Sequence, residues 1–264
     1  KGHSYSQCRK LLKAKCSYEV TLRTLKRWSK ILEEGGWDLR DQSRRPIIIH
    51  NKITDKIEER VIKLRNKTGW GERKIAYSVE LGHSTVNRIL NKHNLCKPTK
   101  IKGRRIKWVR WQRKHPNSLW QIDHSDQKVE DKWLLSVLDD CSRYSLALIP
   151  LGRVTTSVVT KILDGLIAIH GKPREILSDN GSAYGSSSKN SRFDRWCRRR
   201  GIKHIRTSIH SPQTIGKVER LFQTLQDEII FCNNDLEFFR MRYNHFRPHL
   251  SLNRKTPSEL YFGW

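Results

Sequence analysis

Three acidic residues stand at positions where an α/β fold concentrates function. Asp123 ends a predicted strand, Asp179 directly follows another, and Glu219 lies in the first turn of a predicted helix. Strand ends and helix starts can converge on one point of such a domain. Each residue also has an ordinary interpretation, because Asp forms turns and Glu suits a helix N-terminus. Only their joint placement indicates an acidic pocket.

An acidic pocket of this kind suits hard divalent cations. Mg²⁺ and Mn²⁺ prefer carboxylate oxygens. Two such ions about 3.5–4 Å apart can activate an attacking oxygen and stabilise a leaving oxygen in phosphodiester cleavage. Three carboxylates suffice when one is shared. The sequence therefore predicts two Mg²⁺ or Mn²⁺ ions held by Asp123, Asp179 and Glu219.

The overall charge points to a polyanionic partner. The 264 residues include 53 Lys and Arg against 26 Asp and Glu, a formal net charge of +27. Lys and Arg release counterions from nucleic-acid phosphates, which favours nucleic acid over a merely basic surface or an anionic membrane. An acidic pocket would repel that partner unless cations filled it, and this contradiction supports a metal site.

The sequence indicates a cytoplasmic protein. No stretch approaches the roughly 20 apolar residues of a membrane span, and residues 1–20 lack an apolar signal region. The six cysteines form no C-x-x-C pair, which fits a reduced setting better than a disulfide framework or a zinc site. Because the chain begins with Lys1, its first domain is expected to be N-terminally incomplete.

Two helical units are predicted before the acidic residues. Residues 1–40 and 52–95 each show helix, short turn and helix, joined by a polar, Pro-containing linker. This layout is typical of a helix-turn-helix DNA-binding unit, although an ordinary small helical bundle has the same apolar pattern. Together with the charge it favours binding of double-stranded DNA.

Residues 96–116 are predicted to form a basic linker. No Asp or Glu occurs from Leu81 to Ile122. A run of this kind can follow a phosphate backbone, whereas Trp108 and Trp111 are expected to dock on the next domain. The DNA contacts predicted in this linker are Lys97, Lys100, Lys102, Arg104, Arg105, Lys107 and Arg110.

Residues 117–232 have the pattern of an α/β layer fold. Strands are predicted at Leu119–His124, Trp133–Leu138, Tyr144–Leu151, Glu175–Ser178 and Ile202–Arg206, with amphipathic helices between the later strands and after them. Residues 233–264 are predicted as a C-terminal helical tail. Its Asn244–His249 stretch is expected to be a capped turn that packs on the core rather than a DNA contact.

From Trp120 to the C-terminus, the chain resembles the integrase core of insertion-sequence transposases, related to retroviral integrases. The helical units resemble the DNA-binding part of the same transposases, especially the IS481 and IS3 types, with lower specificity. The matching segments lie in a specific order. They are Trp120–Asp123, Leu138–Tyr144, Leu177–Gly181, Ser211–Arg220, Tyr243–His249, Ser251–Asn253 and Thr256–Pro257.

The resemblance implies an RNase H-like fold and a DDE triad of Asp123, Asp179 and Glu219, with Asp123 bridging both ions. It also implies an oligomer, expected to be a homo-oligomer, that pairs two DNA ends.

Thirty-nine residues separate Asp179 from Glu219, against about 35 in the family, so an insertion is expected at Gly181–Asn190. The family often has Asn or Asp at the position of Ile215 and a basic residue at that of Gln226. Lys217 and Arg220 are therefore expected to take over phosphate contacts.

The other candidate residues receive structural interpretations. Asp139 and Asp140 are expected to form the turn between two strands, and Asp126 to support Asp123. His124 and His204 are expected to be hydrogen-bonded structural residues. No serine or cysteine stands beside a plausible base in the sequence, which disfavours a covalent enzyme intermediate.

The expected activity is that of a DDE transposase that cleaves element ends and transfers the strand to target DNA by direct transesterification. One alternative is a nuclease that joins no strands. The other is a catalytically inactive, transposase-derived DNA-binding regulator, which the departures at Ile215 and Gln226 keep open.

Overall fold

The computed structural model describes residues 2–35, 53–96, 111–125, 132–185, 190–207 and 216–263. The chain divides into two compact units, Lys1–Lys52 and Ile53–Trp264. The basic linker residues from Lys97 to Arg110 lie outside the described residues, as do Asp126 and Ile215.

The first unit consists of two helices, α1 (Tyr5–Cys16) and α2 (Leu22–Glu34). Ser4 begins α1 with a capping box to Gln7, and the Thr21 side chain accepts a hydrogen bond from Thr24 N at the start of α2. The predicted pair of helices is therefore present in residues 1–40.

The second unit begins with three helices, α3 (Asp55–Thr68), α4 (Glu72–Ser78) and α5 (His83–Lys92). They enclose a small apolar core that includes Val61, Ile75, Val86 and Leu90. A four-residue turn joins α4 to α5, which is the spacing of a helix-turn-helix motif.

A five-stranded mixed sheet follows, in the order β3-β2-β1-β4-β5. The strands are β1 (Leu119–His124), β2 (Trp133–Asp139), β3 (Ser145–Leu151), β4 (Glu175–Ser178) and β5 (Lys203–Arg206). Strands β1, β2 and β3 pair antiparallel, whereas β4 runs parallel to β1 and to β5. All five predicted strands are confirmed within one residue at each end.

Helices cover both faces of this sheet. On one face, α6 (Thr156–His170) and α7 (Arg192–Arg199) pack on Trp120 and Ile122. On the other face, α8 (Gly216–Glu228) and α9 (Leu236–His245) pack on Leu134 and Leu138 of β2. The α/β layer architecture expected from the sequence is confirmed.

The predicted tail, residues 233–264, packs on the sheet. Phe239 and Tyr243 of α9 belong to the same apolar core as α8. Asn244 pairs its side-chain amide with the backbone of Ser145, accepting from N at 2.8 Å and donating to O at 2.9 Å. The last helix, α10 (Pro257–Phe262), stacks Tyr261 on Tyr144. The capped, packed turn predicted for Asn244–His249 is therefore present.

Candidate active site

Asp123 and Asp179 come together at one edge of the sheet. Strands β1 and β4 are parallel neighbours, with Gln121 opposite Leu177, so their carboxyl ends meet. Asp123 lies near the end of β1 and Asp179 directly follows β4. Together with His124, the two aspartates offer ligand atoms that all lie within 4.8 Å of one another. The three residues are half-buried, as a metal pocket open to a substrate requires.

A local turn holds the Asp179 carboxylate. Asp179 Oδ1 accepts a hydrogen bond from Gly181 N at 3.0 Å, and a Cβ at Gly181 would lie 3.0 Å from that oxygen. Because Gly181 has no Cβ, the Asp179 carboxylate can lie this close to the backbone of the turn. Asn180 ties this turn to the strand beside it by donating to the Thr207 carbonyl at 2.9 Å.

Glu219 lies on the helix that covers the Asp123 face of the sheet. Gln121, two residues before Asp123 and on the same face, donates to the Asp140 carboxylate. Lys217 of α8 donates to that carboxylate as well, which places the start of α8 on this face. Glu219 is exposed in the first turn of α8 and lies outside the group formed by Asp123, His124 and Asp179. Its membership of a triad stays a prediction.

The two basic residues predicted beside Glu219 have different surroundings. Lys217 is half-buried, and its ammonium lies 4.9 Å from the ring centroid of Trp111 while pairing with Asp140. Burial lowers the pKa of Lys217 to about 8, although Asp140 attracts its proton. Arg220 is exposed and donates to Gln223 at 3.0 Å. Phosphate contacts by both residues stay predictions.

Asp139 and Asp140 are structural, as the sequence indicated. Both are fully buried. Asp139 accepts hydrogen bonds from the Asn117 and Ser142 backbones, both at 2.8 Å, and burial raises its pKa. Arg143 donates to the Asp140 carbonyl, which closes the turn between β2 and β3.

A serine does lie beside a base in the folded chain. Ser178 Oγ is 2.8 Å from His204 Nε2, and His204 Nδ1 is 2.6 Å from Asp194 Oδ1. The sequence-based expectation that no such arrangement exists was wrong, because these residues come from β4, β5 and α7. Ser178 is fully buried and donates to the Asp179 carbonyl, so the arrangement anchors the end of β4 next to Asp179. His204 is hydrogen-bonded, as expected.

The expected hydrogen bonding of the His124 ring is not found at its Nδ1. Its Nδ1 is buried and has no hydrogen-bond partner among the described residues, and the same holds for the hydroxyl of fully buried Tyr184. The His124 and Tyr184 rings lie 6.3 Å apart beside the aspartates. Two carboxylates and an imidazole are ligands of divalent metals, so the residues present fit an ion.

Known proteins match the region that carries this site. Two family models, each described as an integrase core domain, match residues 113–212 and 200–257. The chain is 35% identical over 116 residues to the Gag-Pro-Pol polyprotein of Mason-Pfizer monkey virus, covering 43% of the chain and 6% of the polyprotein. It is 26% identical over 159 residues to the insertion element IS476 uncharacterized 39.2 kDa protein of Xanthomonas euvesicatoria, covering 54% of the chain and 44% of that protein. It thus spans less than half the length of either relative.

A solved structure shares the fold. The cryo-EM structure of a simian T-cell lymphotropic virus intasome in complex with PP2A regulatory subunit B56 gamma has a TM-score of 0.52 and 23% identity. The match covers 76% of this chain and 74% of that chain. The sheet with its flanking helices is therefore an RNase H-like integrase core. The chain belongs to the superfamily of DDE transposases and integrases through residues 113–257. Among the described helices, none has the length and apolar character that crossing a membrane requires.

Proposed function

We propose that this protein is a DNA transposase that cleaves the ends of a mobile element and joins them to target DNA. The observation that carries the proposal is the meeting of Asp123 and Asp179 at one sheet edge in a chain with a net charge of +27. Membership of the integrase core family supports polynucleotidyl transfer, and the resemblance to an insertion-element protein favours transposition.

In the proposed reaction, water cleaves a phosphodiester at the element end and leaves a free 3′-hydroxyl. That hydroxyl then attacks a target phosphodiester, forming one P–O bond as another breaks and a new 3′-hydroxyl departs. Asp123, Asp179 and Glu219 would hold two Mg²⁺ or Mn²⁺ ions, with Asp123 shared. When bound, such ions lower the pKa of an attacking oxygen and stabilise the charge on the leaving oxygen.

The chain's own residues orient the carboxylates for this task. The Asp179 turn is fixed by the Gly181 amide and by Ser178, which holds the Asp179 carbonyl. The pairing of β1 with β4 sets the separation of the two aspartates. Because these groups are in place before substrate arrives, little reorganisation accompanies the reaction.

DNA is the proposed partner, bound by a homo-oligomer that pairs two element ends. The excess of basic residues supplies the attraction, and α4 with α5 would read the element end. Contacts to the phosphate backbone are proposed for Lys97, Lys100, Lys102, Arg104, Arg105, Lys107, Arg110 and Arg220, whereas the Lys217 ammonium already pairs with Asp140. A protein acting on resident DNA of a bacterial cell would work at the nucleoid.

One assay separates this proposal from its alternatives. The full chain is incubated with labelled DNA carrying the terminal repeats that flank its gene, with a plasmid target and Mg²⁺ or Mn²⁺. Joined products are expected. Cleavage without joining would instead identify a nuclease, and bound but uncut DNA would identify an inactive regulator.

The matched variants are Asp179→Asn and Asp227→Asn, the latter removing an exposed carboxylate of α8. We expect Asp179→Asn to lower the joining rate at least about 100-fold, since even residues that only support metal ligands cost 10–100-fold. Asp227→Asn should retain the wild-type rate. Joining by Asp179→Asn at the wild-type rate contradicts catalysis by the carboxylates.

A further inference from the structure

The imidazole of His124 lies beside the two aspartates without the contacts that a structural histidine usually has. Its ring packs edge-on against Trp133, with ring centroids 6.0 Å apart, and lies near Tyr184. A ring nitrogen belongs to the group whose ligand atoms all lie within 4.8 Å of one another, yet Nδ1 has no hydrogen-bond partner in the part of the chain that the structure describes. A buried polar atom of this kind is costly unless a ligand satisfies it.

Tyr184 provides a second, independent observation at the same place. It is fully buried, and its hydroxyl also has no hydrogen-bond partner among the described residues. Burial, together with the negative charges of Asp123 and Asp179, raises the pKa of Tyr184 well above its usual value, so the phenol keeps its proton. Tyr184 thus places this donor at the border of the apolar core, within the field of both carboxylates.

The strand geometry explains how His124 reaches the aspartates. Successive residues of a strand point to opposite faces, so His124 shares a face with Ile122, away from α8. Because His124 is the last residue of β1, its ring can turn towards the sheet edge, where Asp179 lies directly after β4. Carboxylates on the α8 side and an imidazole on the opposite side would then surround one ion.

We propose that His124 supplies a nitrogen ligand to the ion that Asp123 and Asp179 hold, which shifts the preference of the site from Mg²⁺ towards Mn²⁺. The proposal rests on the metal site of the proposed function and adds a ligand to it. Ligand atoms about 2.1 Å from a shared ion lie roughly 3–4.2 Å apart, so atoms at the 4.8 Å limit must approach one another by roughly 0.6–1.8 Å to close around the ion. Both ions accept carboxylate oxygens, but Mn²⁺ as a transition-metal ion binds an imidazole nitrogen more readily than Mg²⁺ does, and this difference sets the direction of the shift.

Mn²⁺ binding to the full chain, without DNA, tests this ligand directly. Pulsed EPR of bound Mn²⁺ detects a coordinated imidazole through coupling to its nitrogen, and titration calorimetry gives the affinities for Mn²⁺ and Mg²⁺. The variant is His124→Phe, which keeps an aromatic ring between Trp133 and Tyr184. His115→Asn, which changes an exposed histidine before β1, is the control. Thermal melts without metal verify that each variant folds.

The wild-type protein and His115→Asn should show nitrogen coupling. His124→Phe should lose the coupling and bind Mn²⁺ at least about tenfold more weakly, with a smaller loss for Mg²⁺. Bound Mn²⁺ without nitrogen coupling, or equal affinities in His124→Phe and wild type, would overturn the role of His124. If Asp123→Asn still abolished binding, the metal site of the proposed function would stand without that ligand. Failure of the wild-type protein to bind Mn²⁺ would overturn both proposals.

Discussion

Lys217 and Glu219 are two positions apart on α8, yet they face different surroundings. Glu219 is exposed, whereas the Lys217 ammonium pairs with the buried carboxylate of Asp140. Asp140 also accepts from the Gln121 side chain at 2.7 Å and from Arg113 N at 2.7 Å. One carboxylate therefore joins the strand that carries Asp123 to the helix that carries Glu219.

Removing the Lys217 ammonium should change positioning rather than DNA affinity. In Lys217→Met, the side chain still covers Trp111 but no longer ties α8 to Asp140. We expect the rate of strand transfer at saturating DNA to fall about 10–100-fold, as for residues that orient metal ligands. Lys161→Met, an exposed lysine of α6, is the control. A weaker DNA affinity with a salt slope reduced by about one would instead identify Lys217 as a phosphate contact.

At this scale, the sequence predicted the residues whose position follows from the chain itself. Asp123 and Asp179 lie at the ends of neighbouring strands, and Asp139 and Asp140 lie at the turn after β2, so the local pattern indicates where each residue lies. The surroundings of His124 depend on Tyr184, 60 positions further along the chain. No local pattern records that contact, so the sequence alone predicts only a hydrogen-bonded structural role for His124.

At the scale of elements, α8 links two parts of the second unit. Its first turn carries Glu219, and its last residue, Glu228, receives hydrogen bonds from Trp70 at 3.3 Å and Lys74 at 3.3 Å. Arg247 donates to the same carboxylate at 3.1 Å. Burial alone would raise the pKa of Glu228, but Arg247 and Lys74 outweigh burial and lower it. Through these contacts, Glu228 holds helices α3–α5 against the C-terminal end of α8.

Neutralising Glu228 should destabilise the protein. Glu228→Gln keeps the shape of the side chain but leaves several buried cations without their anion. Breaking a buried ion pair from one side costs about 3–5 kcal/mol. Urea denaturation should therefore show a loss of that size, whereas Glu237→Gln, which breaks the exposed pair with Arg240, should cost less than about 1 kcal/mol. Equal losses in the two variants would show that Glu228 is not a buried anchor.

The elements themselves were largely predictable, and their packing was not. Strand β4 was predicted from a short apolar run beside Asp179, and its bounds agree with the structure. For the predicted tail, by contrast, the sequence did not indicate which part of the core its helices would cover. Its helix α9 contributes Phe239 to the core beneath α8 and supports the edge strand β3 through Asn244. Apolar periodicity identifies a helix but does not identify the surface it covers.

For the whole molecule, the high positive charge should make the free energy of unfolding sensitive to low pH. The charge of +27 at pH 7 counts His as neutral, so acidification adds further positive charge. His249 is buried close to Arg247, whose Nη1 lies 3.3 Å from His249 Nε2, and its ring packs edge-on against Tyr243. An uncharged ring can accept that hydrogen bond, whereas a protonated one would face Arg247 with like charge.

Acidification should therefore destabilise the fold through His249. Burial, reinforced by Arg247, Lys74 and Arg143, lowers the pKa of His249 to about 2. In the unfolded chain the pKa is about 6.5, so between these two values the unfolded chain binds a proton that the folded chain does not. The free energy of unfolding then decreases as the pH falls, and His249 accounts for about 2 kcal/mol of loss between pH 7 and pH 5.

His249→Gln tests this contribution, because glutamine can still accept from Arg247 but does not titrate. Unfolding free energies from urea titrations at pH 7 and pH 5 should decrease by about 2 kcal/mol less in His249→Gln than in the wild-type protein. Burial lowers the pKa of His170 and of His204 as well, but both residues are present in both proteins, so the difference isolates His249. The exposed His115→Asn variant should retain the wild-type dependence on pH. Parallel pH profiles for His249→Gln and wild type would show that His249 is not the group that acid must charge.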